Sequence, residues 1–270
     1  VALHFCRQDE RALEEALERA AQGQQVLWIE NTVAEAQQRY LDIASRAAQN
    51  GCETGLLHSR FTPDDRGKHE DRWVALYGRA GWSQRAERGR ILIGTQVLEQ
   101  SLDIDADFLI SRFAPTDMLL QRLGRLWRHA DTPRHSSASK ACWLLAPMPE
   151  QALANPRGAF GPSAMVYAPY VLCRILETWQ SLQSLTLPSG IRPLIDQTYA
   201  ERQETGQWAA LLHELKNGSR FRTGEQAQQA LAKLTLSRGG KTLPEHQAET
   251  RYSDRDTHDL LLLRSMHIKD

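Results

Sequence analysis

No run of eighteen apolar residues occurs anywhere in the chain, so no stretch of it is long enough to cross a membrane as a helix. The opening residues, Val1 to Cys6 followed by charges, also lack the apolar core and cleavage site of a signal peptide. The compartment expected is the cytoplasm, with no membrane partner. Net charge is missing as well. With 33 basic and 33 acidic residues the chain balances to zero, which excludes holding nucleic acid by bulk electrostatics alone. Only local basic paths remain, at 60–90 and 112–134, where arginines are interleaved with acids and could equally be solvated surface. Cysteines are few and scattered. Cys6, Cys52, Cys142 and Cys173 form no C-x-x-C pair, so neither a zinc site nor a disulfide framework is expected, only buried reduced thiols. What is present, 41% apolar and 24% charged residues over 270 positions, is the composition of an ordinary globular protein with room for two packed domains and no internal repeat.

Short apolar runs alternate with amphipathic stretches. Residues 10–21 place Leu13, Ala16, Leu17 and Ala20 at helical spacing, and Gly23 ends the helix. Val26-Leu27-Trp28-Ile29 then reads as a strand buried on both faces, and Asn31-Thr32 suits the N-cap of a helix running to about Gln49. A second short strand at 55–58 precedes Thr62-Pro63-Asp64-Asp65, which opens a third helix because Thr caps, Pro fits the first turn and carboxylates favour the positive end of the helix dipole. Further strands are expected at 91–93, 108–110 and 143–145, with a helix from about Asp117 to His129 between the last two. The alternation predicts an α/β fold, an open parallel sheet with helices on both faces and ligands at the carboxyl ends of its strands. The sheet domain should close near 147, residues 148–190 should form a connector with a helix at 170–182, and 191–270 a smaller, mainly helical C-terminal accessory domain. That last part should hold helices at 198–216 and 223–234 and a strand at 260–264.

The most specific local signal is Gln121-Arg122-Leu123-Gly124-Arg125-Leu126-Trp127-Arg128. On a helix Gln121, Arg125 and Arg128 fall within about 60° of one another, opposite Leu119, Leu123, Leu126 and Trp127. Two surface arginines would be the plain reading. Against it stands Gly124, whose place in mid-helix would cost roughly 1 kcal/mol relative to Ala and so implies a close approach to that backbone. Phosphoryl transfer supplies a use for such a stripe, since a planar guanidinium stabilises charge spread over phosphate oxygens through two parallel hydrogen bonds.

Gln-Arg-x-Gly-Arg-x-x-Arg resembles motif VI of superfamily 2 helicases, and residues 94–105, Gly-Thr-Gln-Val-Leu-Glu-Gln-Ser-Leu-Asp-Ile-Asp, resemble motif V. Upstream, 26–37 resembles motif IV, and Leu57-His58-Ser59-Arg60-Phe61 with Asp64-Asp65-Arg66 the segment that follows it. The particular wording is similar to the helicase-nuclease family of type I CRISPR interference, well over 26–145 and more weakly at 166–172 and 187–194. That resemblance implies a second RecA-like lobe over 1–147, whose Arg125 and Arg128 reach the γ-phosphate of ATP across a cleft, with Gln121 linking nucleotide to motion. It places Asp103 and Gln100 at the nucleotide, and Thr95, Gln96, Thr32, His58, Ser59 and Arg60 on the phosphates of single-stranded DNA, contacts that position without reading sequence. For Ser59 and Arg60 a solvated loop is an equal alternative. The partners implied are a first RecA-like lobe and an HD nuclease domain of the same protein and the CRISPR surveillance complex.

Several parts of such a motor are absent. The nearest phosphate loop, Arg238-Gly239-Gly240-Lys241-Thr242, has Thr235 where the pattern needs a glycine, and no strand ends in an acid pair for Mg²⁺. Asp103 and Asp105 stand without other clustered acids or histidines, so no metal site is expected, and the lone His258-Asp259 is too little for a nuclease centre. The ligands of ATP and Mg²⁺ should therefore lie mainly on the other lobe, leaving this chain inactive by itself. Its start at a strand or linker favours a piece of a longer protein. A helicase-like lobe used as a protein-binding scaffold, or part of a helicase acting on RNA or duplex DNA, are the alternatives.

Overall fold

The computed structural model describes residues 1–85, 87–99 and 102–229. Six parallel strands form one sheet in the order β1-β6-β5-β2-β4-β3, with β1 at Ala2–Cys6, β2 at Gln25–Ile29, β3 at Glu53–Leu57, β4 at Arg90–Gly94, β5 at Phe108–Arg112 and β6 at Ala141–Leu145. The first residues are thus an outer strand, paired in register from Ala2↔Ala141 to Cys6↔Leu145. Strands β2 and β4 are buried at every position, which is why their sequences run apolar without alternating.

Both faces are covered. Helices α1 (Asp9–Ala21) and α2 (Val33–Gln49) bury Leu13, Leu17, Ile43 and Ala47 against Val26, Trp28, Ile91, Ile93, Phe108 and Ile110. On the opposite face lies α3 (Pro63–Tyr77), whose Trp73 sits so close to β3 that a Cβ at Gly55 would fall 2.0 Å from the ring. Its start matches the expectation: Thr62 accepts from Asp65 N, and Pro63 occupies the first turn. Helix α4 (Thr116–Leu123) covers β5 on that same face, its Arg122 bonding Ser111. The fold is RecA-like, a parallel sheet between helical layers.

After β6 come short helices α5 (Pro149–Ala154), α6 (Pro156–Phe160) and α7 (Ser163–Val166), then α8 (Pro169–Trp179) and α9 (Ile191–Tyr199). These pack on the sheet body. Asn31 donates to Ser163 Oγ at 2.8 Å, Trp179 Nε1 to Thr116 Oγ1 at 2.8 Å, and Thr116 and Thr198 share a hydrogen bond of 3.1 Å. Packing accordingly divides the chain into Val1–Trp208 and the remainder from Ala209, rather than at 147 and 190. The helix expected over 198–216 is two separate helices, since α9 stops at Tyr199 and α10 runs over Gly206–Asn217. In the second unit α10 leads into a two-residue hairpin, β7 (Gly218–Ser219) and β8 (Arg222–Thr223). The strand expected at 260–264, the end of the helix at 223–234, the loop at 238–242 and His258-Asp259 lie outside the described residues.

Candidate functional site

Helix α4 ends sooner than its apolar periodicity predicts. Gly124 is its C-cap, in right-handed conformation (φ −65°, ψ −8°), not a mid-helix residue. Nothing but the carbonyls of Gln121 and Leu120 approaches its Cβ position, so the inferred close contact is absent. Leu126 and Trp127 continue the apolar spacing but serve a different purpose. Ala106 N donates to Arg125 O at 2.8 Å and Trp127 N to Ala106 O at 3.0 Å, pulling the chain off the helix and onto the segment leading into β5. Trp127 takes the left-handed conformation there (φ 52°), and its Nε1 donates to Asp107 O at 2.9 Å. The expected stripe of three on one helix is therefore corrected: Gln121 stays on α4, exposed, while Arg125 and Arg128 sit on the turn beyond it.

That turn is anchored by carboxylates. Buried Asp105 accepts from Arg128 N at 2.9 Å, from His129 N at 3.3 Å, from Arg134 Nη2 at 2.7 Å and from Thr132 Oγ1. Burial pushes its carboxyl up, but these donors outweigh burial and hold it below its ordinary value. Asp107 accepts from Arg85 at 2.8 Å, Arg134 at 2.6 Å and Gln25 N at 2.8 Å. Asp103 differs from both: half-exposed, it accepts from Arg128 Nε at 3.0 Å and lies 2.9 Å from His129 Nε2. Asp103 and Asp105 thus have separate environments, and no cluster of three His, Cys, Asp or Glu that could hold a metal occurs among the described residues.

The two arginines are not equivalent. Arg128 has a side chain 40% exposed. Arg125, only 9% exposed, donates to Leu102 O at 2.7 Å and Glu99 O at 2.6 Å, and its Nε is buried without a partner. Burial, then the neighbouring Arg128, lowers its pKa. Gln100, expected beside them, lies outside the described residues. The group stands on the turn that follows α4, paired with the segment that leads into the amino end of β5.

The carboxyl ends of β2, β4 and β3 carry the other expected residues. Thr32 caps α2, bonding Glu35 Oε2 at 2.7 Å and accepting from Glu35 N at 3.2 Å. Thr95 is buried, its backbone N donating to Leu57 O at 3.3 Å, and Gln96 Nε2 donates to Asn31 O at 2.9 Å and Tyr167 Oη at 3.2 Å. His58 is buried too. Its Nδ1 accepts from Arg60 N at 3.2 Å, its ring stacks on Phe61 at 4.3 Å, and burial lowers its pKa. Ser59 and Arg60 are exposed beside it.

Sequence reasoning missed Arg122. Fully buried, it donates to Glu99 Oε1 at 2.7 Å, Ser111 Oγ at 2.9 Å, Arg112 O at 2.8 Å and Asn31 Oδ1 at 2.9 Å. The signal was present: on a helix Arg122 falls about 60° from Leu119, at the edge of the apolar arc, and Glu99 directly follows the apolar Val97-Leu98, so each is a charge bordering core positions.

Three kinds of similarity bear on this arrangement. A family model described as the C-terminal part of the CRISPR-associated nuclease/helicase Cas3 matches residues 22–131. The CRISPR-associated endonuclease/helicase Cas3 of Escherichia coli K12 is 43% identical over 117 residues, covering 43% of this chain and 13% of that protein. That of Thermus thermophilus is 35% identical over 164 residues, covering 58% and 16%. Among solved structures, T. fusca Cas3 with AMPPNP superposes with a TM-score of 0.66 at 31% identity, over 74% of this chain and 24% of that one. A CRISPR RNA-guided surveillance complex before nicking contains a chain with a TM-score of 0.69 at 28% identity, over 87% and 28%. The chain thus spans about a sixth or less of the length of these two curated relatives.

Proposed function

The chain matches the C-terminal region of the CRISPR-associated nuclease/helicase Cas3, and from that match we propose that it is the second motor lobe of an ATP-dependent translocase on single-stranded DNA in CRISPR interference. In this reading residues 1–147 are the lobe, 148–190 a connector packed on it, and 191–270 a C-terminal accessory domain whose residues up to Trp208 share the lobe's body. Arg125 and Arg128 act on the γ-phosphate of ATP held by a first lobe, Asp103 and Gln100 border the nucleotide, and Gln121 passes the nucleotide state on. The strand-end residues Thr32, His58, Ser59, Arg60, Thr95 and Gln96 line the path of DNA, Ser59 and Arg60 by exposed side chains and the other four by shaping the loops. ATP would arrive with Mg²⁺ coordinated mainly by the first lobe, and the HD nuclease domain and the surveillance complex would be partners of the whole protein.

One observation carries the reading. The arginine turn pairs with the segment entering β5, whereas the polar strand ends lie on β2, β4 and β3, and each group carries chemistry that suits the ligand assigned to it. A guanidinium suits a phosphate in transfer, and hydroxyls, amides and Arg60 suit a phosphodiester backbone. The test is ATP turnover by the complete protein with single-stranded DNA. Arg125→Ala should lower turnover by about 10³ or more while nucleotide affinity stays within a few-fold. A loss of less than tenfold would refute the assignment. It would instead favour a lobe that serves as a protein-binding scaffold and takes no part in ATP turnover, the reading suggested by Arg125 being bonded to the carbonyls of Leu102 and Glu99.

A further inference from the structure

Arg122 belongs to neither of these two groups of residues yet touches what holds both. Its guanidinium joins the ends of β2 and β5, through Asn31 and through Ser111 and the Arg112 carbonyl, to Glu99 on the crossover that leaves β4. Glu99 is the pivot. Its carboxylate receives Arg122 at 2.7 Å while its backbone carbonyl receives Arg125 at 2.6 Å. On the other side Asn31 accepts from Arg122 at Oδ1 and from Gln96 at its backbone carbonyl, and its Nδ2 donates to Ser163 Oγ and Phe113 O. Arg122 and Glu99 side chains are both completely buried. A buried ion pair of this sort tolerates little change in geometry, because each charge has lost its water and depends on its partners being in place. The Glu99 carbonyl that holds Arg125 and the Glu99 carboxylate that holds Arg122 belong to one residue, and Arg122 in turn holds Asn31 at the end of β2.

We propose that Arg122 is the positioning residue that couples the two groups of residues: through Glu99 it sets Arg125, and through Asn31 it sets the strand end at Asn31, Thr32 and Gln96. This rests on the helicase reading above. The coupling is mechanical and involves no group transfer, and Arg122 touches neither ligand.

The experiment uses the complete protein, with ATP turnover measured without DNA and with saturating oligo(dT), alongside the thermal midpoint. Arg122→Lys keeps a charge for Glu99, and so the setting of Arg125, but a single ammonium cannot also span to Asn31 and the end of β5; DNA-free turnover should change less than threefold while stimulation by oligo(dT) falls tenfold or more. Asn31→Ala removes the strand-end arm, together with the bonds to Ser163 and Phe113 O, and leaves Glu99 bonded to Arg122 and Arg125; it should reduce stimulation in the same way and stands in if Arg122→Lys fails to fold. A parallel fall of turnover with and without DNA, tracking a lowered midpoint, would reduce Arg122 to a packing role and overturn the proposal. So would full stimulation in both variants. Arg125→Ala, run beside them, separates the two ideas. Loss of turnover there with intact stimulation in Arg122→Lys sinks the coupling alone, whereas unchanged turnover in Arg125→Ala sinks the helicase reading itself.

Discussion

At the scale of the residue, the candidate site depends on polar groups that are buried and directed. His58 gives a pH signature. Burial holds its imidazole below the ordinary pKa, and its Nδ1 must stay unprotonated to accept from Arg60 N. In the unfolded chain the ring takes a proton near pH 6.5. The folded state resists doing so, so this contribution to stability is complete above about pH 6.5 and is lost as pH falls from there toward the lower folded value. The thermal midpoint should therefore drop between pH 7 and pH 5 more in the wild type than in His58→Gln. Parallel curves would show that His58 is not the group responsible. The motif segments named Arg125, Arg128 and Thr95 as candidates by residue type and spacing. The burial of Arg125 and the anchoring by Asp105, Asp107 and Arg134 were not legible there, because they arise from hydrogen bonds between segments 20 or more residues apart.

At the scale of the element, local signals worked where the local chain decides the outcome. The caps of α2 and α3 follow from Thr32 with Glu35 and from Thr62 with Pro63, all within one turn. The end of α4 does not. Leu126 and Trp127 keep helical spacing, yet two hydrogen bonds to Ala106 outcompete another helical turn, and no local pattern reveals Ala106 as a partner. Helix α3 offers a test of packing on β3. With the Trp73 ring 2.0 Å from where a Cβ on Gly55 would stand, Gly55→Ala should destabilise by roughly 1–3 kcal/mol through overpacking. Trp73→Ala alone should cost about 3–5 kcal/mol. In denaturant unfolding the double variant should lose clearly less than the sum of the two, since the methyl then occupies vacated space. Strict additivity would mean that the contact does not limit α3.

At the scale of the whole molecule, the alternation of strands and helices was enough to reach a parallel sheet, but not to find where its body ends. The helices after β6 resemble a connector in sequence because Pro and Gly interrupt them, and only the pairing of Asn31 with Ser163 and of Thr116 with Trp179 and Thr198 shows them to be part of the same body. The four thiols turn this into something a reagent can read. Cys6, Cys52, Cys142 and Cys173 are all buried, and burial pushes Cys173 up to about 12 and Cys142 higher still, so neither ionises near neutrality. An alkylating probe should leave the native protein unmarked. In rising urea, mass spectrometry should find Cys6, Cys142 and Cys173 tagged together, at one midpoint, if sheet and α8 open as a single cooperative body. Early tagging of Cys173 would place a seam after β6. The chain thus carries its own dosimeter, one sulfur in an outer strand, one in the strand beside it and one in the helix beyond, each silent until its neighbourhood comes apart.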